Sequence, residues 1–372
     1  MTLYGDKCMY DKEEKSLIWL DSFHLEYTKK LQIYHLHNSL YSVILNFNEF
    51  KHAITKIVGE DIANRMQQSL SSKVYLQQLL ESYQVQNLTC LTLKSANYPV
   101  ELLQIDRPPF VLYCKGNLKL LSNRKFSIVG SRRTLPNILK LTHEFSKSLA
   151  TVFTIVTGIA DGADTQAVEG AMEHKNCIVV LAFGFKYCTP ECNKFLLDKV
   201  YKEGLVLSEY PPNVAPKSYY YPERNRLLAG LSEGVLIVSA GQKSGTKITA
   251  NYAYQYGKSL FAFPYSIGIS SGIGCNALIQ QFATLCTKVL DITEAFGVNI
   301  NKAIEVVLNE VERQILAIIQ NGDTHIMQIS AKTGLASFEI APILTVLELK
   351  KLIASCGGNR YIALVEDGTN LE

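Results

Sequence analysis

The spacing of hydrophobic and polar positions divides the chain into three regions. In the first, from about residue 12 to 86, apolar residues recur at the three- and four-residue intervals of amphipathic helices. The stretch ITKIVGEDIANRMQQSL, which starts at Ile54, is an example. After position 5 this region contains no proline and a single glycine, Gly59. The pattern predicts a small helical domain over residues 1–88.

From about residue 88 the pattern changes, and short runs rich in β-branched residues alternate with helical stretches. Several runs are apolar throughout, which is typical of parallel strands buried on both faces. The runs are 126–130, 153–158, 177–183, 205–210, 235–240 and 260–264. The helical stretches between them are at about 135–150, 164–174, 192–203, 224–232 and 247–257. The alternation predicts a doubly wound α/β core over residues 89–300, with ligands at the carboxyl ends of the strands.

The last region, from about residue 306 to 366, has a third pattern. Three helical stretches come first, with Gly334 in the turn before the third, and a strand pair around 356–360 follows. This order is typical of a winged helix-turn-helix unit, which we predict over residues 301–372. The third helix has few of the side chains that read a major groove, so we interpret the unit mainly as a protein-interaction or accessory module.

Composition narrows the class of protein but does not identify its binding partner. The 372 residues are 47% hydrophobic and 19% charged, and the net charge of +3 permits nucleic-acid binding without arguing for it. No apolar run reaches the ~18 residues of a membrane helix, and the N-terminus lacks the apolar segment of a signal peptide, so we expect a cytoplasmic protein. The nine cysteines lack the two close pairs of a structural zinc site, so we predict no metal ligands among them.

Glycines and small polar residues follow four of the predicted strands. They are Gly130, Ser131 and Arg132 after the first run, Gly158 and Gly162 after the second, Lys243, Ser244, Gly245 and Thr246 after the fifth, and the glycines of 263–276 after the sixth. Glycine lets a backbone approach a ligand, the following helix offers amide groups to an anion, and arginine adds a bidentate donor. Because such loops meet at one edge of a parallel sheet, they predict a pocket lined by backbone amides that suits phosphates.

The segment 219–232, YYYPERNRLLAGLS, places three tyrosine rings directly before Arg224, Asn225 and Arg226. Rings can stack on bases and guanidinium groups can hold phosphates, which is the chemistry of a single-stranded nucleic-acid site. The alternative is a tyrosine-rich corner of the core with two surface arginines, and the segment alone leaves both open. For Arg226, a structural role is as plausible as a phosphate contact.

Other polar residues have simpler interpretations. Asp164, just before a predicted helix, is interpreted as its N-cap rather than a catalytic acid, and Tyr219 and Tyr220 as rim residues. No Ser-His-Asp or Cys-His arrangement can be argued. The dinucleotide fingerprint G-x-G-x-x-G is absent after the first run, and 244–247 has the wrong residue order for a triphosphate P-loop. A conventional NAD or ATP enzyme is therefore not expected, and we predict no cofactor.

Seven blocks in order carry a resemblance that covers nearly the whole chain. They are YPVELLQIDRPPFVLYCKGN (98–117), SIVGSRR (127–133), TGIADGAD (157–164), LSEYPP (207–212), YPERNRLLAGLS (221–232), SGTKITA (244–250) and GCNALI (274–279). Together they resemble the DNA-processing protein A family, also called DprA or Smf. The resemblance implies a non-enzymatic protein with an extended Rossmann-like core that binds single-stranded DNA and forms homodimers. It also implies protection of incoming DNA, loading of the RecA recombinase during natural transformation, a helical, SAM-like N-terminal domain and a C-terminal winged helix.

The resemblance also assigns roles by position. Arg132 would be the family's phosphate-binding arginine, and Tyr221 stands where the family has a base-stacking phenylalanine. Lys217 lies close enough in sequence to supply the pocket's lysine. Other matches are to the family's RNR and SGS motifs, by Arg224, Asn225 and Arg226 and by Ser244, Gly245 and Thr246. With Gly130, Ser131, Gly158 and Lys243, these are the predicted DNA-binding residues.

The chain departs from the family pattern at Ala163, at Ser239, where an acid is common, and at Leu135. We interpret these changes as drift in packing rather than loss of the pocket. The rival function is a nucleotide sensor, or an enzyme like the nucleotide phosphoribohydrolases, which have a related core. Thr249 stands where the catalytic glutamate of those hydrolases would be, so the chain lacks an evident acid or base for that reaction.

Overall fold

The structure, a computed structural model, describes residues 10–72, 74–298, 308–322, 324–350 and 352–364. The chain forms two compact units, Met1–Asn299 and Ile300–Glu372. The boundary expected at residue 88 lies inside the first unit and stays a prediction. Among the described residues, no helix is long and apolar enough to cross a membrane.

The N-terminal region is helical, as the periodicity predicts. Its helices are α1 Lys12–Ser22, α2 Tyr27–Tyr34, α3 Leu40–Leu45, α4 Phe47–Val58, α5 Glu60–Ser71 and α6 Tyr75–Val85. Helix α1 begins at a capping box, in which the Asp11 side chain accepts from the Glu14 amide at 2.8 Å and the Glu14 carboxylate accepts from the Asp11 amide at 2.9 Å. This reciprocal pair fixes where the helix starts.

A single sheet of nine strands forms the centre of the first unit in the described part of the chain. The strands are β1 Thr89–Thr92, β2 Val111–Gly116, β3 Lys125–Val129, β4 Thr154–Thr157, β5 Cys177–Leu181, β6 Leu205–Ser208, β7 Gly234–Ile237, β8 Ser259–Ala262 and β9 Thr284–Leu285. Their order is β1-β2-β6-β5-β4-β3-β7-β8-β9. All six predicted runs are strands, and they pair in parallel, so the doubly wound α/β prediction is confirmed.

Three further strands extend this sheet beyond the prediction. Strand β2 pairs antiparallel with β6, and β1 pairs antiparallel with β2, so the two lengthen one side of the sheet. At the other side the two-residue strand β9 runs parallel to β8. The helices of this unit are α7 Pro136–Leu149, α8 Ala163–Met172, α9 Lys194–Glu203, α10 Tyr220–Leu231, α11 Thr246–Gln255, α12 Ile273–Gln281 and α13 Val289–Ala295.

Helix α10 begins four residues earlier than the sequence predicts, at Tyr220 instead of residue 224. Pro222 lies in its first turn, where its missing amide would have no partner within the helix. The RNR residues therefore lie in the second turn of the helix and not at its start. The helix then presents Tyr220 and Tyr221 in different directions, because successive helical residues are about 100° apart.

The second unit contains the predicted three helices and strand pair. Its elements are α14 Glu310–Gln320, β10 Thr324–His325, α15 Ile326–Thr333, α16 Ser337–Leu349, β11 Ile353–Gly357 and β12 Arg360–Ala363. The short strand β10, which the sequence did not predict, pairs with β12 to give the sheet order β10-β12-β11. Gly334 ends α15 with φ of +76°, so the tight turn before α16 uses a backbone conformation that favours glycine. Residues 306 and 307 of the predicted first helix lie outside the described residues.

The cysteines of the described residues are all free thiols, and Cys8 lies outside those residues. Among the residues that the structure describes, no group of three or more His, Cys, Asp or Glu side chains could hold a metal ion.

Candidate nucleic-acid interface

The four glycine-bearing loops follow four neighbouring strands. In the sheet these strands are β4, β3, β7 and β8, side by side and parallel. The strand order reverses between β3 and β7, since the chain moves outward in one direction from β3 to β6 and then returns to the other side with β7. In doubly wound folds, ligands bind outside the carboxyl ends of the strands at such a switch point.

Serine side chains connect the loop after β3 with the loop after β7. The Ser131 amide donates to Oγ of Ser239 at 2.8 Å, and the hydroxyls of Thr134 and Ser239 lie 2.6 Å apart. The Ser131 hydroxyl donates to the Ser239 carbonyl oxygen at 3.3 Å and lies 3.4 Å from Oγ of Ser244. These bonds hold the two loops on either side of the switch point in one arrangement.

The exposed side chain of Arg132 lies against the ring of Tyr221. Its guanidinium carbon is 5.5 Å from the ring centroid, within the range of a cation–π interaction. Asn225, one turn further along α10, donates through Nδ2 to the Gly245 carbonyl oxygen at 3.4 Å. The start of α10 therefore meets both the loop after β3 and the loop after β7, and we call this junction the switch-point site.

Backbone amides contribute less to the switch-point site than the loop sequences suggest. The Thr246 amide donates to Oγ of Ser244 at 3.2 Å, and the Ser131 amide is bonded to Ser239. These donors already have partners within the protein. Lys243 and Arg132, in contrast, have exposed side chains. Arg132 and Lys243 can therefore meet an anion without breaking these internal bonds.

Two glycines make the close packing beneath the site possible. An ideal Cβ on Gly130 would lie 2.5 Å from Cβ of Ala163 and 2.6 Å from Cγ2 of Val238, closer than real carbon contacts. A Cβ on Gly158 would lie 2.3 Å from Oδ2 of Asp164 and 2.9 Å from both terminal nitrogens of Arg224. Gly158 is thus the spacer between a buried carboxylate and a buried guanidinium.

Arg224 is buried below the switch-point site, at 5% exposure. Its Nη1 donates to the Val180 carbonyl oxygen in β5, and its Nε donates to Oδ1 of Asn225 at 3.2 Å. Burial lowers the pKa of this guanidinium from its ordinary value. Its contacts hold α10 against the sheet, and its predicted role as a phosphate ligand stays a prediction.

Asp164 is the charge partner of Arg224 across Gly158. Burial raises the pKa of its carboxyl group to about 6, and the nearby Arg224 guanidinium opposes that rise. Oδ2 accepts from the Ala160 amide at 3.4 Å. The predicted N-cap role is wrong, because Gly162 occupies the N-cap of α8 and Asp164 is the second residue of the helix.

Arg226 points away from Arg132 and forms an ion pair with Glu209, just after β6. Arg226 is 4% exposed, and its Nε and Nη1 have no hydrogen-bond partner, nor does Oε1 of Glu209. Both residues line a cavity of about 550 Å³ beyond the carboxyl end of β6, which we call the β6 cavity. Lys217 also lines it, with its amine 5.7 Å from the ring centroids of both Tyr219 and Tyr220.

Tyr220 and His24 join the N-terminal helices to α10. Tyr220 is buried, so its interpretation as a rim residue is wrong, whereas Tyr219 is 54% exposed. The Tyr220 hydroxyl lies 2.7 Å from Nε2 of His24. Burial lowers the pKa of His24 below its ordinary value of 6.5, and Lys30 adds to this effect. Sequence reasoning missed His24, because nothing near it in sequence signals a partner 196 residues away.

The departures from the family pattern have definite places in the structure. Ser239 supplies the hydroxyl that accepts from the Ser131 amide, so a neutral acceptor holds this loop. Ala163 is the residue against which Gly130 packs, and Leu135 is the exposed N-cap of α7. Two of the three substitutions therefore lie in the packing of the loops at the switch point.

The fold and the site define an extended Rossmann-like core, followed by a winged helix. A family model described as DNA recombination-mediator protein A matches residues 89–297, and one described as the DprA winged helix domain matches residues 303–359. The chain therefore belongs to the DNA recombination-mediator protein A family, also called DprA or Smf.

Bacterial relatives agree with this assignment. The DNA processing protein DprA of Bacillus subtilis is 36% identical over 222 residues, 59% of this chain and 75% of the relative. That of Streptococcus pneumoniae is 38% identical over 200 residues, 54% of this chain and 71% of the relative. The X-ray structure of the S. pneumoniae protein superposes with a TM-score of 0.63 at 29% identity, covering 76% of this chain and 97% of that one.

A second solved structure bears on the interface. It is the DNA processing protein A of Helicobacter pylori, described as having a unique single-stranded DNA binding mode. It superposes with a TM-score of 0.52 at 30% identity and covers 56% of this chain and 95% of that one.

Proposed function

We propose that this protein binds single-stranded DNA at the switch-point site and acts in DNA processing without catalysing a reaction itself. The observation that carries the proposal is the contact between Arg132 and Tyr221, with the guanidinium 5.5 Å from the ring. The pair brings a bidentate phosphate donor and a stacking surface to the same place on the carboxyl edge of the sheet.

The chemistry of the pair favours a flexible single strand over a duplex. An unstacked base can lie on the Tyr221 ring while Arg132 and the exposed Lys243 meet the backbone on either side. In a duplex the bases are already stacked on each other, so the ring would gain nothing. The single-stranded DNA binding mode of the H. pylori relative supports the same class of ligand.

The base-stacking part is tested with Tyr221. Stacking contributes about 1–3 kcal/mol per base, so Tyr221→Ala should weaken binding of labelled oligo-dT by roughly 5- to 150-fold. Tyr221→Phe keeps the ring and should bind within about twofold of the unchanged protein. The measurement is equilibrium binding of oligo-dT and of the matching duplex, followed by fluorescence anisotropy.

Tight binding of the single strand, with the duplex much weaker, is the expected result for the unchanged protein. Equal affinity for single-stranded and duplex DNA, or equal losses of affinity in Tyr221→Phe and Tyr221→Ala, would show that no base stacks on the Tyr221 ring. Thermal unfolding of each variant confirms that it is folded before its affinity is interpreted.

The family also suggests two roles that we propose with the DNA site: protection of incoming DNA, and loading of RecA onto the bound strand during natural transformation. We propose in addition that the protein forms a homodimer through its core. Exposed apolar side chains near the β8–β9 side of the sheet support a homodimer. They are Tyr254, Ile267, Ile273, Leu285 and Leu290. A self-associating protein can bury such surface.

The homodimer is tested by replacing one of these side chains. Ile273, 45% exposed at the start of α12, should on change to Glu shift the protein from dimer to monomer in sedimentation equilibrium. A chain that is monomeric without any substitution would overturn the dimer.

RecA loading requires faster RecA filament formation on DNA when the protein is added, and no acceleration would remove that part of the proposal.

A further inference from the structure

The β6 cavity is a second concave site, separate from the switch-point site. Its lining comes from three stretches, 21–30, 107–110 and 209–226. The N-terminal helices therefore form one wall, and the segments just before β2 and after β6, with the start of α10, form another. Within the described residues, none from the loops after β3 and β7 lines it. Its volume of about 550 Å³ lies in the range of about 300–1,000 Å³ that holds small molecules.

Aromatic rings form much of the wall of the β6 cavity. The ring centroids of Tyr210 and Tyr220 are 4.3 Å apart, and the His24 ring is 5.8 Å from that of Tyr220. The half-exposed Tyr219 packs edge-on against Tyr220 at 4.6 Å. Such a wall suits a flat heteroaromatic ring.

Arg226 and Glu209 supply a buried polar pair that the protein itself does not satisfy. Two nitrogens of the guanidinium and one oxygen of the carboxylate have no partner. Buried polar groups are nearly always hydrogen-bonded, and leaving them unpaired costs free energy. A guest that both accepts and donates hydrogen bonds would satisfy such a pair, and a nucleobase does both along its edge.

Lys217 adds a positive charge to the exposed side of the β6 cavity. Its side chain is exposed, and it forms no ion pair with the described residues, whereas Lys30 in the same cavity is paired with Asp21 at 2.5 Å. An ammonium group over two tyrosine rings is placed to meet a phosphate attached to a base that lies on those rings.

We propose that the β6 cavity is a nucleotide site, with the base against the tyrosine wall and the Arg226–Glu209 pair, and the phosphate at Lys217. The same chemistry could be supplied by a free nucleotide or by one nucleotide of a bound DNA strand. The site does not depend on DNA binding at Arg132, so the two can be tested separately.

Thr28 offers a matched pair of variants for the test. It is exposed, lines the β6 cavity and lies in the first turn of α2, away from the ion pairs. Thr28→Trp should fill part of the cavity, whereas Thr28→Val keeps the shape of the side chain. The probes are the four deoxynucleoside 5′-monophosphates, titrated by calorimetry up to about 1 mM.

The expected result is saturable binding of at least one monophosphate, weakened about tenfold or more by Thr28→Trp and kept by Thr28→Val and Arg132→Ala. If the base belongs to a DNA strand, Thr28→Trp also weakens oligo-dT binding and oligo-dT competes with the monophosphate. If the nucleotide is free, both ligands bind together and Thr28→Trp leaves oligo-dT binding unchanged.

No saturable binding of any monophosphate, or equal binding by Thr28→Trp and Thr28→Val, overturns the proposal. If Thr28→Trp does not fold, photo-crosslinking of an azido-nucleotide to the unchanged protein decides instead. Labelled peptides from 24–28 or 217–226 support the site, and labelling confined to other peptides overturns it. Loss of oligo-dT binding in Arg132→Ala tests only the switch-point site.

Discussion

Arg132→Ala is expected to weaken binding of single-stranded DNA by about tenfold or more. A charge-assisted hydrogen bond contributes about 1.5–3 kcal/mol, and the substitution also removes the cation that lies against the Tyr221 ring. One lost phosphate contact should reduce the slope of log affinity against log salt by about 0.7 to 1. The measurement is a titration of labelled oligo-dT at several salt concentrations.

The adjacent Arg133 is the control for charge alone. Its side chain is exposed, and it follows Arg132 directly in the loop after β3. Arg133→Ala changes the net charge by the same amount and should cost less affinity. Arg132→Lys keeps the charge but loses the bidentate geometry, so its affinity should fall between those of the unchanged protein and Arg132→Ala.

Equal losses of affinity in Arg132→Ala and Arg133→Ala would show that DNA binding depends on the overall charge of the loop and not on a specific contact of Arg132 with a phosphate. No loss in either variant, with both folded, would move the DNA site elsewhere on the protein.

Arg224→Met is expected to destabilise the fold by about 3–5 kcal/mol, since it leaves the buried Asp164 without its compensating charge. The loss of the bond to the Val180 carbonyl oxygen adds to the effect. The measurement is the free energy of unfolding in urea. Asp164→Asn and the double variant complete a cycle, and the double variant should recover part of the loss.

The loss in Arg224→Met should depend on pH. Asp164 has a folded-state pKa of about 6, above its ordinary 3.8, so the folded protein binds the proton more tightly than the unfolded chain. Its proton stabilises the fold at low pH, and this contribution is lost as pH rises through about 6. Without Arg224 the pKa of Asp164 rises further. Arg224→Met should therefore destabilise the fold more at pH values where Asp164 is ionised than at pH values where it is protonated. In the Asp164→Asn background, this dependence on pH should disappear.

A folded Arg224→Met with unchanged stability and lost DNA affinity would contradict this account. It would show that the guanidinium reaches the strand, as the position of Arg224 in the RNR motif suggests.

The main sheet could be predicted from sequence because its six parallel strands are mostly apolar runs that alternate with helical stretches. Strands β1, β9 and β10 are only two to four residues long. Strand β2 begins with an apolar run, but β1 and β2 pair antiparallel, without a crossover helix between them. These strands form only where a partner strand is already present, and the local spacing of hydrophobic residues does not reveal that partner. The winged helix could be predicted because Gly334 marks the turn before the third helical stretch and a strand pair follows that stretch.

At the candidate site, sequence reasoning brought together the correct loops but not the directions of the side chains. Arg132 and Tyr221 lie together, whereas Arg224 and Arg226 turn inward toward carboxylates distant in the chain. Buried arginine is rare, so a sequence gives little reason to expect it. The partners Asp164 and Glu209 could be found only from the folded chain, since Asp164 lies in the first turn of α8 and Glu209 follows β6.

The N-terminal helices have a further consequence for how the chain can be divided. Their core continues into the sheet: Phe110, Val111 and Tyr113 are buried with Trp19, and the Tyr113 hydroxyl donates to Asp21 at 2.8 Å. The family match begins only at residue 89. A shortened chain starting there would keep every strand, yet it would expose a large apolar face of β2 and lose the partner of Tyr220. The helical region is therefore not an interchangeable module, and gene fusions that replace it must supply a new cover for that face.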